Sequence, residues 1–198
     1  MIDEEQLRYA RLKNQFLIDR APCSAVVSAL CGLQAQFANN PKYALRVRGI
    51  DFDESSWSAR LVKIWSFRHT LHAVGLDEMG VFLSARGVPK KWEGAWDIEG
   101  NRMEYLAGFL LEQMRSGALG RAELREKCRK SGLEQGEVNN IFNGWGGLFY
   151  EMNRRGLIAY RPGTAKTFMI CENVAFTDTD AARAVLLRRY FKAFGPAT

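Results

Sequence analysis

The fold is most legible in residues 121–171, which read RAELREKCRKSGLEQGEVNNIFNGWGGLFYEMNRRGLIAYRPGTAKTFMIC. Apolar residues recur at helical spacing over 121–130 and again over 137–154, and Ser131-Gly132 separates the two segments. The pattern predicts a short helix followed by a longer one. Glycines interrupt the longer segment at a cost of up to about 1 kcal/mol each, and the periodicity gives no reason for them.

A β-hairpin follows these helices. Residues 157–160 and 167–171 are apolar and strand-like, and 161–164 (Arg-Pro-Gly-Thr) form a turn between them. Helix, helix and hairpin is the order of a winged helix-turn-helix domain, whose second helix normally reads DNA while its wing contacts the backbone. A winged helix that mediates only protein contacts or domain packing fits the same pattern. The residues predicted to contact DNA are Asn139, Asn143 and Arg154 on the second helix and Arg161 and Lys166 at the wing.

The first part of the chain also combines helical periodicity with a β-rich segment. A helix is predicted over 3–17 with Asp3 as its N-cap, and another is predicted to begin at the cap Ser24. Asn39-Asn40-Pro41 is predicted to end that second unit. Aromatic and β-branched residues in 64–74 predict a β-hairpin. Further short helices are predicted over 42–48, from Ser56 through Val62, and near 76–83.

These elements predict an α+β fold, mainly helical, made of tandem winged helix-turn-helix domains with short β-hairpin wings. We expect an N-terminal winged-helix-like domain over 1–86 and a second winged helix-turn-helix domain over 101–178, which opens on a helix at 101–115. Residues 87–100 are rich in glycine and tryptophan and are expected to form a linker or loop. Residues 179–198 are expected to hold a helix that leads into a third unit cut short.

The charge of the chain is modestly positive. It amounts to +6, from 28 Lys and Arg against 22 Asp and Glu, and most of the excess lies in residues 101–171. Such a charge is compatible with nucleic-acid binding but does not require it. We therefore expect double-stranded DNA as the partner mainly from the winged-helix pattern, and the oligomeric state stays open.

Cysteine spacing argues against a metal-binding protein, and the N-terminal residues argue against a secreted one. Of the four cysteines none lies in a CxxC pair, and no histidine follows at zinc-site spacing, so we expect reduced thiols, no metal and no other cofactor. No apolar run reaches the length that crosses a bilayer. Acidic residues at positions 3–5 differ from the positively charged start of a secretory signal. We expect a cytoplasmic protein without a membrane partner.

Three segments carry a resemblance to a known family. Residues 32–37 read GLQAQF, residues 43–48 read YALRVR, and residues 65–72 read WSFRHTLH. Their order and spacing resemble those of the bacterial winged-helix DNA-binding family that contains the AlkZ-type and YcaQ-type alkylpurine DNA glycosylases. LFYE at 148–151 and RGLI at 155–158 are similar to that family as well. The resemblance therefore runs over essentially the whole chain.

The resemblance implies a monofunctional glycosylase that removes N7-alkylated purines with water. In AlkZ-type enzymes a Gln-apolar-Gln motif positions that water, and Gln34, Ala35 and Gln36 match its three positions, whereas YcaQ-type relatives have Asp at the last one. Glutamine donates and accepts hydrogen bonds but cannot act as a strong general base. Without the resemblance, two glutamines near a helix end would be ordinary solvated residues or caps.

Two residues of the third segment are further candidates. His72 takes the position of a characteristic family histidine, and the resemblance implies a place near the DNA or in the active-site wall. A core histidine hydrogen-bonded to backbone is the alternative. Arg68 is a candidate for a phosphate contact or for pairing with a core carboxylate. The family often has Gly at the position of His69, so no shared role is expected of that residue.

Three functions compete. The first is a DNA-repair glycosylase that hydrolyses the N-glycosidic bond, and the resemblance implies that this chain corresponds to the N-terminal half of such a protein. Catalysis by the chain itself stays open. The second is a non-catalytic winged-helix DNA-binding protein or transcriptional regulator, which should expose its recognition helix. The third is a winged-helix scaffold for protein contacts, which should bury it.

Overall fold

Helices and short antiparallel strands make up the computed structural model, which describes residues 3–163 and 167–195, and of Arg68 the backbone alone. In that described part the helices are α1 (Glu4–Asn14), α2 (Cys23–Ala29), α3 (Asn40–Arg48), α4 (Met79–Ala85), α5 (Gly100–Met114), α6 (Arg121–Lys130), α7 (Gln135–Ile141), α8 (Leu148–Arg154) and α9 (Thr179–Phe194). The strands are β1 (Leu33–Gln34), β2 (Leu61–Trp65), β3 (Leu71–Gly75), β4 (Leu119–Gly120), β5 (Ile158–Tyr160) and β6 (Thr167–Ile170).

The chain divides into two compact units. Residues 3–86, 162–163 and 175–195 belong to the first, and residues 87–161 and 167–174 belong to the second. The mixed helix and strand content agrees with the predicted α+β class. No helix within the described ranges is long and apolar enough to span a membrane.

The first unit is organised around β3. This strand pairs antiparallel with β2 on one side and with β1 on the other. The predicted hairpin within 64–74 is confirmed, with a single 3-10 turn over Phe67–His69 between its strands. Helices α2 and α3 pack beside this sheet, and α9 packs against α1, α2 and α4. The core holds Val26, Val27, Leu30, Leu33, Ala35, Leu45, Leu61, Ala73 and Ala193.

Of the two predicted N-caps, Asp3 is confirmed and Ser24 is wrong. Asp3 caps α1, and its carboxylate accepts the Gln6 backbone N–H at 2.7 Å within a full capping box. Ser24 is not the cap of α2, because that helix begins at Cys23 after Pro22. The Cys23 backbone N–H instead donates to the Asp51 carboxylate at 2.7 Å, so the free helix end is satisfied by a residue distant in sequence.

Two predictions about the segment between α2 and β2 are wrong. Asn40-Pro41 begins α3 rather than ending a helix, which suits proline because the first helical position needs no N–H donor. The predicted helix from Ser56 through Val62 is absent, and turns occupy 54–60. The Asp53 carboxylate accepts both the Ser55 hydroxyl, at 2.7 Å, and the Ser56 hydroxyl, at 2.5 Å, which favours a turn over a helix.

The second unit contains three antiparallel strands. β5 and β6 form the predicted hairpin, and the two-residue strand β4 pairs antiparallel with β6. Helices α5 and α6 match the predicted segments 101–115 and 121–130 to within a residue. The side chains of Phe149 and Phe168 stack with ring centroids 4.2 Å apart, at the centre of the core. Other core members are Met103, Leu106, Leu110, Leu124, Cys128, Val138 and Ile141.

The predicted single helix over 137–154 is wrong. Helix α7 ends at Ile141, and α8 begins at Leu148. Gly147 lies between them with φ 56° and ψ −142°, a conformation that is essentially restricted to glycine. A Cβ at Gly147 would also meet the carbonyl oxygens of Asn140 and Ile141. The glycines that interrupt the apolar pattern therefore turn the chain between two short helices.

Candidate active site

Gln34 and His72 face each other across two paired strands. Gln34 is the last residue of β1, and its Cα partner in the antiparallel register is His72 on β3. Side chains of directly opposed residues lie on the same face of a sheet, about 5 Å apart at Cβ. The first unit therefore brings together two residues that are 38 positions apart in the sequence.

The approach of β1 to β3 depends on Gly32. Cys31 and Gly32 both have positive φ, 55° and 80°, and they turn the chain from α2 into β1. A Cβ at Gly32 would lie 2.9 Å from Cγ1 of Val74 and 3.1 Å from the carbonyl oxygen of Ala73. Since real side chains do not approach so closely, a glycine before the motif permits the pairing of Gln34 with His72.

The tripeptide is anchored by its middle residue. Ala35 is fully buried, and its backbone N–H donates to the carbonyl oxygen of Leu71 at 2.8 Å. Gln34 and Gln36 are both exposed. The Gln34 Oε1 atom accepts a hydrogen bond from Asn40 Nδ2 at 2.8 Å, which orients the amide. One such bond uses only part of the hydrogen-bonding capacity of an amide, so Gln34 is able to hold a water as well.

His72 is half-buried beside an aromatic ring. Its Nδ1 atom lies 3.4 Å from the carbonyl oxygen of Thr70, and its ring meets Phe67 edge-on with centroids 5.8 Å apart. The neighbouring His69 has φ 57°, in the region that favours glycine. A glycine, which the resembled family often has at this position, would adopt that conformation without strain.

A cavity of about 940 Å³ opens beside Gln34 and His72. Its lining is largely apolar and includes Leu30 and Phe67, while Gln36 is not part of it. The charged side chains that line it are Arg86 and Arg183, and no carboxylate belongs to the lining among the described residues. An apolar cavity with a few convergent polar groups is the usual form of a small-molecule site.

Both arginines of the cavity are held by backbone carbonyls. The Arg86 guanidinium donates to the carbonyl oxygen of Trp65 at 2.8 Å, and the Arg183 Nε donates to that of Ala85 at 3.0 Å. With glutamine, histidine and arginine as its polar groups, the cavity offers hydrogen bonds and positive charge but no carboxylate base.

Comparison with known proteins places the chain in a family. The family model described as DNA glycosylase AlkZ-like matches residues 27–198. The chain belongs to the AlkZ-like DNA glycosylase family. The resemblance found in the sequence is thereby confirmed, and the segments that carry it, from residue 32 onward, lie within the match.

AlkZ of Streptomyces sahachiroi is similar to the chain in sequence and in structure. The sequence of this interstrand DNA cross-link repair glycosylase is 26% identical over a region that covers 95% of this chain and 56% of that protein. The solved structure of Streptomyces sahachiroi DNA glycosylase AlkZ matches with a TM-score of 0.71 and 25% identity, over 98% of this chain and 57% of the other. The chain thus spans little more than half the length of AlkZ.

The residues predicted to contact DNA in this AlkZ-like chain do not share one helix face. Asn139 is exposed on α7, where its Oδ1 accepts from Gln135 Nε2 at 2.8 Å. Asn143 lies in the turn after α7 and accepts the Trp145 backbone N–H at 2.9 Å. Arg154 ends α8, where it pairs with Glu151 at 3.3 Å. The break between α7 and α8 therefore separates them.

Of the three remaining residues that were predicted to contact DNA, the structure describes the side chain of Arg161 alone. Arg161 is exposed beside β5, and its backbone N–H donates to the carbonyl oxygen of Thr167 at 2.9 Å. Lys166 lies outside the described residues, and so does the side chain of Arg68. For those two residues the DNA contact stays a prediction from the sequence.

Sequence reasoning missed the α9 wall of the cavity. Residues Arg183, Leu186, Leu187, Tyr190 and Phe194 of α9 all line it. They recur at the spacing of one helix face, so the periodicity was visible, but nothing in it indicated that this face lines the same cavity as Gln34. Arg86 was missed as well, because it follows α4 without a motif around it.

The cysteines form no candidate site in the described part of the chain. No group of three or more His, Cys, Asp or Glu side chains that could hold a metal is present there. Burial raises the pKa of the Cys31 and Cys128 thiols to about 11, so both are protonated and unreactive near neutral pH.

Proposed function

We propose that this chain is a monofunctional DNA glycosylase that hydrolyses the N-glycosidic bond of N7-alkylated purines. One observation carries the proposal: in a member of the AlkZ-like family, Gln34 of a Gln-Ala-Gln motif lies opposite His72 at the edge of a large apolar cavity. The proposed roles are water positioning by Gln34 and Gln36 and a place in the active-site wall for His72.

The proposed reaction does not require a strong general acid or base from the protein. N7-alkylation makes the purine cationic, so it departs as a neutral base when the bond between N9 and C1′ breaks. The oxygen of a water forms the new bond to C1′, and the proton that this water loses passes to solvent. A glutamine that holds the water in line supplies orientation, which is a large part of catalysis when the leaving group is already good. Gln34 is oriented for this role by Asn40.

The proposed partner is double-stranded DNA, and the proposed architecture is a pair of winged helices. In each unit a two-residue strand pairs with the second strand of a hairpin, in the order β1-β3-β2 and β4-β6-β5. Helices precede each hairpin, as in winged helix-turn-helix domains. Asn139 and Arg161 are exposed, and the proposed DNA contacts also include Arg68, Asn143, Arg154 and Lys166.

The test is base release from duplex DNA that contains N7-methylguanine. We expect release by this chain in single-turnover conditions, and a loss of roughly 100-fold or more in rate for Gln34→Ala, as when a positioned polar group is removed from an active site. Gln36→Ala should lose rate to a similar extent. Gln113→Ala, on α5 in the second unit, is the matched control and should retain the parent rate.

Two outcomes would contradict the proposal. Release that persists at the parent rate in both glutamine variants would remove the motif from the mechanism. Tight binding of the duplex without any release would instead favour the non-catalytic DNA-binding protein.

A further inference from the structure

Helix α9 turns one face toward the cavity beside Gln34. Its lining residues Arg183, Leu187, Tyr190 and Phe194 follow one another at three- and four-residue steps, which keeps them on a single helix face. Helix α9 is held in place independently of that face. Arg189 donates to the Glu78 carboxylate at 2.7 Å, and the Asp178 carboxylate caps the first turn.

The exposed part of this face is apolar and aromatic. Leu187 is 55% exposed and Tyr190 is 48% exposed, although both are large hydrophobic residues. The rings of Tyr190 and Phe194 pack with centroids 5.1 Å apart, and Phe67, itself 40% exposed, lines the same cavity. Burial of such surface against a ligand is favourable, so the wall is suited to an apolar ligand group.

We propose that the Leu187–Tyr190 wall of α9 receives the N7 substituent of the lesion and sets which substituents are accepted. This inference rests on the proposed function, because it places the alkylated purine in the cavity shared with Gln34. The wall acts as a specificity determinant that selects among N7 substituents, and it takes no part in the chemistry.

Size and the apolar, aromatic lining of the cavity favour this occupant. The cavity of about 940 Å³ lies near the upper end of the range for drug-sized ligands, so it has room for more than a bare nucleobase. An alkylated purine is a flat aromatic group, and the aromatic residues Phe67 and Tyr190 line the cavity. A carboxylate, which would hold a hydrophilic cationic substituent, is missing from the described lining.

The test compares two lesions and two tryptophan variants. Duplexes carry either N7-methylguanine or N7-benzylguanine, and single-turnover release is measured for the parent chain, Leu187→Trp and Phe191→Trp. Phe191 is a matched control because it is as exposed as Leu187, at 57%, and lies on the same helix but does not line the cavity. We expect Leu187→Trp to slow benzylguanine release at least tenfold and methylguanine release less than twofold, with no change in Phe191→Trp.

Binding supplies a second readout that does not need turnover. Duplexes in which a 2′-fluorine stabilises the same two lesions are titrated with each protein, and Leu187→Trp should lose the parent's preference for benzylguanine while Phe191→Trp keeps it. Equal effects of Leu187→Trp on both lesions, or none on either, would overturn the inference. A parent that binds both lesions without preference would overturn it too, as would a Leu187→Trp variant that changes only the oligomeric state, since the face would then be covered by a second copy.

Failure of the proposed function has a different signature. In that case the parent releases neither base, or Gln34→Ala releases both as fast as the parent. A loss of lesion discrimination with Gln34-dependent release intact would concern the wall alone.

Discussion

Two asparagines of the second unit, Asn139 and Asn153, differ in burial and therefore in what their side chains can bind. Asn139 lies exposed on α7, whereas Asn153 is fully buried at the end of α8, where its Nδ2 donates to the carbonyl oxygen of Ile158 at 2.7 Å. The sequence pattern predicted one continuous helix over 137–154, which would have included both residues. The hydrogen bond of Asn153 joins α8 to β5, so this residue holds the hairpin in place instead of reading DNA.

Replacement of these two residues should separate stability from binding. Asn153→Ala leaves a buried carbonyl without its donor and should lower the free energy of unfolding by about 1–3 kcal/mol. Asn139→Ala should change stability by less than about 0.5 kcal/mol, as is usual at exposed positions. Urea denaturation monitored by tryptophan fluorescence checks both. An Asn153→Ala variant as stable as the parent would show that the hydrogen bond contributes nothing.

Gln34, Gln36 and His72 were named as candidates because of the family resemblance. The family match confirms the family, and the roles of these residues remain predictions. The register that pairs Gln34 with His72 depends on the contact of Gly32 with Val74, and a contact between distant residues leaves no mark in local periodicity. For the same reason the α9 wall was not found.

At the scale of elements, the break between α7 and α8 is the main departure from the predicted fold. Gly147 adopts a backbone conformation that other residues avoid, and a Cβ there would meet the carbonyl oxygens of Asn140 and Ile141. A Cβ at Gly144, by contrast, would meet no atom within 4 Å, and the φ of Gly144 is not positive. Of the two glycines in this turn, Gly144 therefore has room for a side chain and Gly147 does not.

Alanine replacements should reveal this difference. Gly147→Ala should lower the free energy of unfolding by at least about 1–3 kcal/mol, because it combines backbone strain with a contact against carbonyl oxygens. Gly144→Ala should leave stability unchanged or raise it by up to about 1 kcal/mol, because alanine restricts the unfolded chain. Thermal and urea denaturation of the pair measure the contrast. Equal losses in both variants would contradict the assignment of the turn to Gly147.

Element prediction succeeded where local signals were sufficient. The capping box of α1 and the apolar periodicity of α5 and α6 are local signals. Helices α5 and α6 lie within a residue of the predicted bounds, and α1 begins at its predicted cap but ends at Asn14 rather than at residue 17. The cap of α2 is a carboxylate 28 positions away, and the segment before β2 follows its serine–aspartate hydrogen bonds rather than its helical periodicity. Tertiary and side-chain contacts therefore outweigh the weak intrinsic helix preference.

At the scale of the whole molecule, buried thiols link stability to alkaline pH. Burial raises the pKa of Cys31, Cys128 and Cys171 from 9.0 to about 11. Between these values the unfolded chain has lost protons that the folded chain keeps, so the folded state binds more protons and becomes less stable as pH rises. Their contribution to stability is complete below pH 9 and is lost as pH approaches about 11.

Urea denaturation at several pH values between 8 and 11 should show this loss. Each thiol contributes a slope of at most about 1.4 kcal/mol per pH unit, because one proton is exchanged. Cys128→Ala removes one such group from the core of the second unit and should make the decline shallower, even though the loss of the side chain lowers stability at every pH. The comparison is one of slopes, so a uniform cavity cost does not affect it. An identical slope in parent and variant would show that Cys128 does not titrate differently in the folded and unfolded chains.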